Sequence, residues 1–147
     1  MAEPSVALFG PLDTVVGGYA GYVVFALAVF NMLTRKMAHD AHKRQVREGG
    51  EDALSRHPLH VVTTWGLVLA AFYYLTLHHH SGIVLSVLVL GVFVTDVFEF
   101  EARRVEARED LPVEQPKGAM LASVVVFLYA AYVSVFFVVE PVWSAIV

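Results

Sequence analysis

Cysteine is absent from this 147-residue chain. That absence excludes a disulfide framework, thiol redox chemistry and lipidation through a thiol. Basic residues are missing from most of the length. All ten Lys and Arg fall in two short stretches: Arg35, Lys36, Lys43, Arg44, Arg47 and Arg56 in the first, Arg103, Arg104, Arg108 and Lys117 in the second. With none before Arg35, the first apolar run lacks the charged start of a secretory signal and reads as a retained span. Charge is scarce overall, at 16% against 57% hydrophobic residues, too apolar for a soluble domain of this size. Also missing are a Walker loop, a Gly-x-Ser-x-Gly elbow, an HExxH helix and a paired-Cys site, so no enzymatic signature is present. A surface with so few cations offers nucleic acid no footprint.

What the chain does have is long apolar runs. A span needs about 20 such residues to cross a core of roughly 30 Å, and residues 15–34, 61–77, 82–98 and 118–139 meet or approach that length. The expected fold is all-α: a four-transmembrane-helix bundle forming a single domain over residues 1–147. The two middle spans are short and joined only by His78-His79-His80-Ser81, which demands a tight helical hairpin. Because basic residues near spans stay on the cytoplasmic side, connectors 35–57 and 99–117 are expected in the cytoplasm and both termini outside. The chain is thus expected as a multi-pass protein of the cell membrane. Residues 1–14, with Pro4, Gly10 and Pro11, read as too irregular for a helix.

The first and third helices are expected to overrun the bilayer into the cytoplasm. No Gly or Pro interrupts 34–48 or 96–110, and a helix over 83–110 would be about 42 Å long, leaving about three turns protruding. Gly49-Gly50 stops the first helix, and Pro58 suits the first turn of the second. The linker 111–117, with Pro112 and Pro116, is stiff. Small residues four apart recur as Gly17/Gly21, Gly66/Ala70, Gly82/Ser86, Gly91/Thr95, Gly118/Ala122 and Ala130/Ser134, spacings that let helices approach closely in lipid.

Polar chemistry collects near the basic connectors. Asp96 and Glu99 are the carboxylates nearest the bilayer, in reach of Arg35 and Lys36, and predict a structural ion-pair cluster at the interface. Ionisable groups at that depth also mark proton paths in some proteins. Asn31, Thr34, Thr63 and Thr64 extend the same polar layer. His39/His42 and His57/His60 are pairs at i,i+3, so each pair shares a helix face. With a carboxylate they could hold a transition metal; the plainer reading makes them interfacial polar residues. His78, His79 and His80 close the opposite hairpin. No span has a His at its middle, which speaks against a buried haem. Tyr19, Tyr22, Tyr73, Tyr74 and Trp143 suit an aromatic belt, whereas Tyr129 and Tyr132 lie deeper and call for partners inside the bundle.

Two stretches, Ala53-Leu-Ser-Arg56 running into Val61-Val-Thr-Thr64, and the run from Gly91 to Arg108, resemble a family of small uncharacterised four-helix membrane proteins of halophilic archaea. The absent Cys, seven Arg against three Lys and the acid-rich connectors fit a halophile. The resemblance implies four spans and carries no activity, cofactor or functional residue. Function is therefore argued from charge and shape. Connector 35–57 nets +2 and segment 96–117 nets −3 of the chain's −4, giving two zones of opposite sign at one end. The leading expectation is a non-enzymatic scaffold or accessory subunit, binding a protein partner through Arg103, Arg104 and Arg108 on the protruding third helix. The alternatives are a small ion or proton channel or transporter acting as a homo-oligomer, and a metal- or haem-binding subunit using the His pairs.

Overall fold

The computed structural model describes residues 8–147, and every regular element among them is helical. A short helix α1 (Pro11–Val16) and a 3-10 turn (Gly17–Tyr19) lead into α2 (Ala20–Gly49). A second 3-10 turn, Gly50–Ala53, precedes α3 (Pro58–Leu77), α4 (His79–Arg108) and α5 (Lys117–Ile146). Contacts between chain-distant residues set the topology. Ser134 of α5 donates to the Gly21 carbonyl at the start of α2, and Arg108 at the end of α4 reaches Glu51 just past the end of α2. The four long helices therefore run up and down. All ten Lys and Arg gather at one end, called here the basic end, and the His78 turn lies at the other.

Three elements depart from the sequence expectation. Part of the segment expected to be irregular is helical, because Pro11 sits in the first turn, where its missing N–H costs nothing. Asp13 fixes that turn: its carboxylate accepts the Phe9 N–H at 3.2 Å and the Tyr73 hydroxyl at 2.7 Å, tying α1 to α3. Residues 1–7 of the same expectation lie outside the described part. The hairpin is tighter than expected, since α4 begins at His79 and only His78 separates it from α3. Lastly, α5 continues through Pro141 to Ile146, so α2, α4 and α5 are each 30 residues long, about 45 Å at 1.5 Å per residue. Length alone therefore does not single out α2 and α4.

The core is built from small and branched residues on all four long helices: Val24, Ala28, Leu67, Ala71, Leu85, Val89, Val92, Val126 and Ala130 are buried. Gly82 allows the closest approach, because a Cβ there would lie 2.4 Å from the Leu75 Cα. One turn on, the Ser86 hydroxyl donates to the Ala71 carbonyl at 3.3 Å. Gly21 faces Tyr74 of α3 and Ser134 of α5. Gly91/Thr95 makes no such seam: a Cβ at Gly91 would meet nothing within 4 Å, and the Thr95 hydroxyl returns to its own helix. Tyr74 is wholly buried, with its hydroxyl accepting from Ser81, and Tyr132 is 61% exposed. Both reverse the positions inferred from depth along the sequence, because a helix turns its residues inward by face and not by depth alone.

The outside of the bundle also carries many large apolar side chains. Leu33, Val62, Leu69, Val87, Leu121 and Leu128 are 56–67% exposed. Such a surface would aggregate in water but suits hydrocarbon, where helices also satisfy their backbone internally. Four helices are long and apolar enough to cross a membrane. These features define a multi-pass membrane protein whose helices contact lipid.

Candidate functional site

At the basic end the interior turns from apolar to polar within one helical turn, and six side chains close into a ring. Arg35 of α2 donates through Nη1 and Nη2 to the two carboxylate oxygens of Asp96 on α4, the second at 3.2 Å. Its Nη2 also donates to Asn31 Oδ1 at 2.9 Å. The Asn31 amide donates in turn to Thr63 Oγ1 at 3.2 Å and Thr64 Oγ1 at 2.9 Å on α3. Thr63 and Thr34 hydroxyls lie 2.9 Å apart, Thr34 Oγ1 lies 3.0 Å from His60 Nδ1, and His60 Nε2 returns to Asp96 Oδ2 at 3.2 Å. Local sequence explains the placement. Asn31, Thr34 and Arg35 recur at i, i+3, i+4 on one face of α2, and His60, Thr63 and Thr64 repeat that spacing on α3.

Donor accounting around the ring is consistent. A carboxylate only accepts, so His60 Nε2 carries the proton that faces Asp96. Thr34 and Thr63 each have a second acceptor in a carbonyl of their own helix, Asn31 O at 3.0 Å and His60 O at 3.1 Å. The ring closes when the two hydroxyls turn instead to His60 Nδ1 and to Thr34, with Thr63 accepting from Asn31. Each of α2, α3 and α4 contributes at least one member, so the ring acts as a three-way clasp. Because a buried polar network is stabilising only when every member is satisfied, closure of the ring matters as much as any one bond.

A second cluster lies farther along α4. Arg103 is only 4% exposed. It donates to the Glu99 carbonyl at 3.0 Å, the Glu114 carbonyl at 3.2 Å and His39 Nδ1 at 3.3 Å. Guanidinium cannot accept, so His39 Nδ1 is the acceptor and its imidazole is uncharged. The Arg103–Glu99 carboxylate contact is loose, at 3.9 Å. His42 Nε2 donates to the Ser55 carbonyl at 3.0 Å and its ring meets Phe100 edge-on, while Arg56 lies over the Phe100 face at 4.2 Å. Glu51 binds Arg108 at 2.9 and 3.1 Å and approaches Arg104. The end of α4 is thereby fastened to the turn after α2 instead of standing free.

The residues inferred from sequence divide accordingly. Asp96 and Arg35 are paired, Glu99 is turned to Arg103, and Lys36 lies outside this cluster, exposed in a groove between α2 and α5. Arg104 and Arg108 are exposed and paired with acids, but Arg103, placed by sequence on the partner surface, is interior. Its spacing carried the signal: Asp96, Glu99 and Arg103 lie at i, i+3, i+7 on one face. Glu51, missed altogether, has no periodic partner in sequence. His39, His42, His57 and His60 do line one cavity of about 50 Å³ with Arg35, Asp96 and Arg103, room for a few waters. Among the described residues, however, no three His, Asp or Glu side chains are grouped to hold a metal ion. His39, His42 and His60 are already engaged elsewhere. At the far end His79 and His80 meet edge to face, and burial holds the His78 imidazole below its usual range.

Fold and site together define a four-helix membrane bundle with a polar clasp at one end. Residues 3–147 match the family described as a domain of unknown function, DUF7313, and the chain belongs to that family. No curated protein and no solved structure matches it.

Proposed function

We propose that this chain is a non-enzymatic accessory or scaffold subunit of the cell membrane, with both termini outside, docking a protein partner at its cytoplasmic basic end. The observation that carries the reading is the contrast between the two levels of the interior. At mid-bundle Leu67, Ala71, Leu85, Val89, Val92 and Val126 close the core, with Ser86 the polar side chain among them and no charged one among the described residues. At the basic end the polar side chains are organised and clasped, and α2 and α4 extend beyond their apolar stretches. Orientation follows from the charge partition: ten Lys and Arg at one end favour that end in the cytoplasm.

The docking surface is then the outer face around Arg104 and Arg108, with Arg103 beneath it as a structural support. Contacts through exposed charges are screened within about 8 Å at physiological ionic strength, so binding there is salt-sensitive. Purification from native membranes in mild detergent should bring a partner. Replacing Arg104 and Arg108 by Glu should release it while the helices stay folded, since exposed ion pairs are worth only about 0–1 kcal/mol. Ion or solute flux into liposomes by the purified protein alone would instead favour a channel or transporter built between copies.

A further inference from the structure

We propose that the groove between α2 and α5 at the basic end is a binding site for an anionic phospholipid. The groove has a volume of about 320 Å³. Its α2 wall carries Met32, Lys36 one turn on and Lys43 two turns beyond that on the same face, with Asp40 between the lysines, and Met120 and Val124 of α5 stand opposite. The wall therefore grades from apolar to cationic along the helix axis. Its apolar part faces the lipid-exposed half of the bundle, and its lysines begin where the apolar stretch of α2 ends.

Charge favours an anion. Arg35 at the back is neutralised by Asp96, and His39 is uncharged because it accepts from Arg103. Among the described residues the side chains of Lys36 and Lys43 have no ion pair or hydrogen bond. Arg44, Arg47 and Lys117 likewise have no ion pair among those residues, but of the unpaired cations only Lys36 and Lys43 line the groove. Arg35, Arg103, Arg104 and Arg108 are paired with acids. Asp40 is the one acid on the wall, which leaves the groove one net positive charge. A phosphate between the two lysines would satisfy them both. A free anion would leave Met32, Met120 and Val124 unused, and a zwitterionic headgroup would bring its own cation to the lysines. A phosphodiester on a hydrocarbon chain matches both halves, and basic pockets between helices at the membrane surface bind such headgroups generally. The inference rests on the chain being a membrane protein and is independent of whether the basic end docks a partner.

The test is lipid retention by the detergent-purified full chain in native mass spectrometry, with equal phosphatidylglycerol and phosphatidylcholine added. The expected result is preferential retention of phosphatidylglycerol, falling about fivefold for each lysine removed in Lys36→Gln and Lys36→Gln/Lys43→Gln. Arg44→Gln, equally exposed on α2 but outside the groove, should leave the preference unchanged. Met120→Trp fills the apolar floor while keeping both lysines and should also lower retention. Circular dichroism checks that each variant keeps its helices. Equal retention of the two lipids by the natural chain would overturn the proposal. So would displacement by millimolar inorganic phosphate together with an unaffected Met120→Trp, which would mark a free-anion site. Loss of copurifying partner without change in lipid preference would touch only the docking reading.

Discussion

Burying Arg35 beside Asp96 replaces two hydration shells by one ion pair, and such an exchange holds only where the remaining hydrogen-bonding capacity is filled. Here Asn31 takes a further guanidinium donor and His60 a further carboxylate lone pair, so that Nε is the one guanidinium nitrogen of Arg35 left buried without a protein partner. Removing Asp96 alone strands a buried cation. Asp96→Ala is expected to cost about 3–5 kcal/mol, whereas Glu114→Ala, whose side chain is exposed on the linker, should stay within about 0.5 kcal/mol. Thermal unfolding in detergent measures both, and equal melting temperatures would refute the role given to the ring. Arg35→Met/Asp96→Leu, which removes both charges, should recover much of the loss. At this scale the sequence is informative about which residues are polar near an apolar run, hence Asp96, Arg35, Asn31 and the threonines. It is silent on closure: nothing in the spacing of His60 reveals that its two nitrogens bridge Thr34 and Asp96, because that depends on the rotation of α3 against α2.

Small-residue spacing behaves differently at the scale of helices. Six candidate seams are legible in the sequence, yet spacing fixes only that two residues share a face, not whether the face is turned to a neighbour or to lipid. Gly82 and Gly91, on the same helix, separate the two cases. At Gly82 the methyl of alanine would have to displace backbone of α3, lying 2.4 Å from the Leu75 Cα, and no side-chain rotation relieves that. Gly82→Ala should therefore splay the α3–α4 hairpin and destabilise by about 1–3 kcal/mol, the range for overpacking a close contact. Gly91→Ala meets nothing and should stabilise by about 0.5–1 kcal/mol through reduced chain entropy. One substitution on one helix thus carries opposite signs, and thermal melts of the two variants decide it: two destabilised proteins, or two unchanged ones, would contradict the packing described. The hairpin itself was legible from the shortness of its link, while its true length was not, since His79, His80 and Ser81 could equally well end a loop or start a helix.

On the scale of the whole molecule, the up-and-down topology converts a one-dimensional pattern into a polarised object. Two clusters of cations some 50 residues apart in sequence become one face, because each is preceded and followed by a span of opposite direction. The four helices and their order were legible from hydropathy, and the gathering of all cations at one end follows from the even number of crossings. Which side of the membrane that face occupies is a matter of insertion energetics instead of packing, and the proposed cytoplasmic placement rests on the rule that Lys and Arg are retained there. Having no natural cysteine makes the chain well suited to a labelling test. Ser144 near the end of α5 and Asp52 in the turn after α2 are both exposed, and they lie at opposite ends of the bundle. In intact cells Ser144→Cys should react with a membrane-impermeant maleimide and Asp52→Cys should react only after permeabilisation. The reverse pattern would place the basic end outside, and with it the clasp, the proposed lipid site and the Arg104–Arg108 surface, so a cytoplasmic partner would be ruled out while the fold and its internal chemistry stood unchanged.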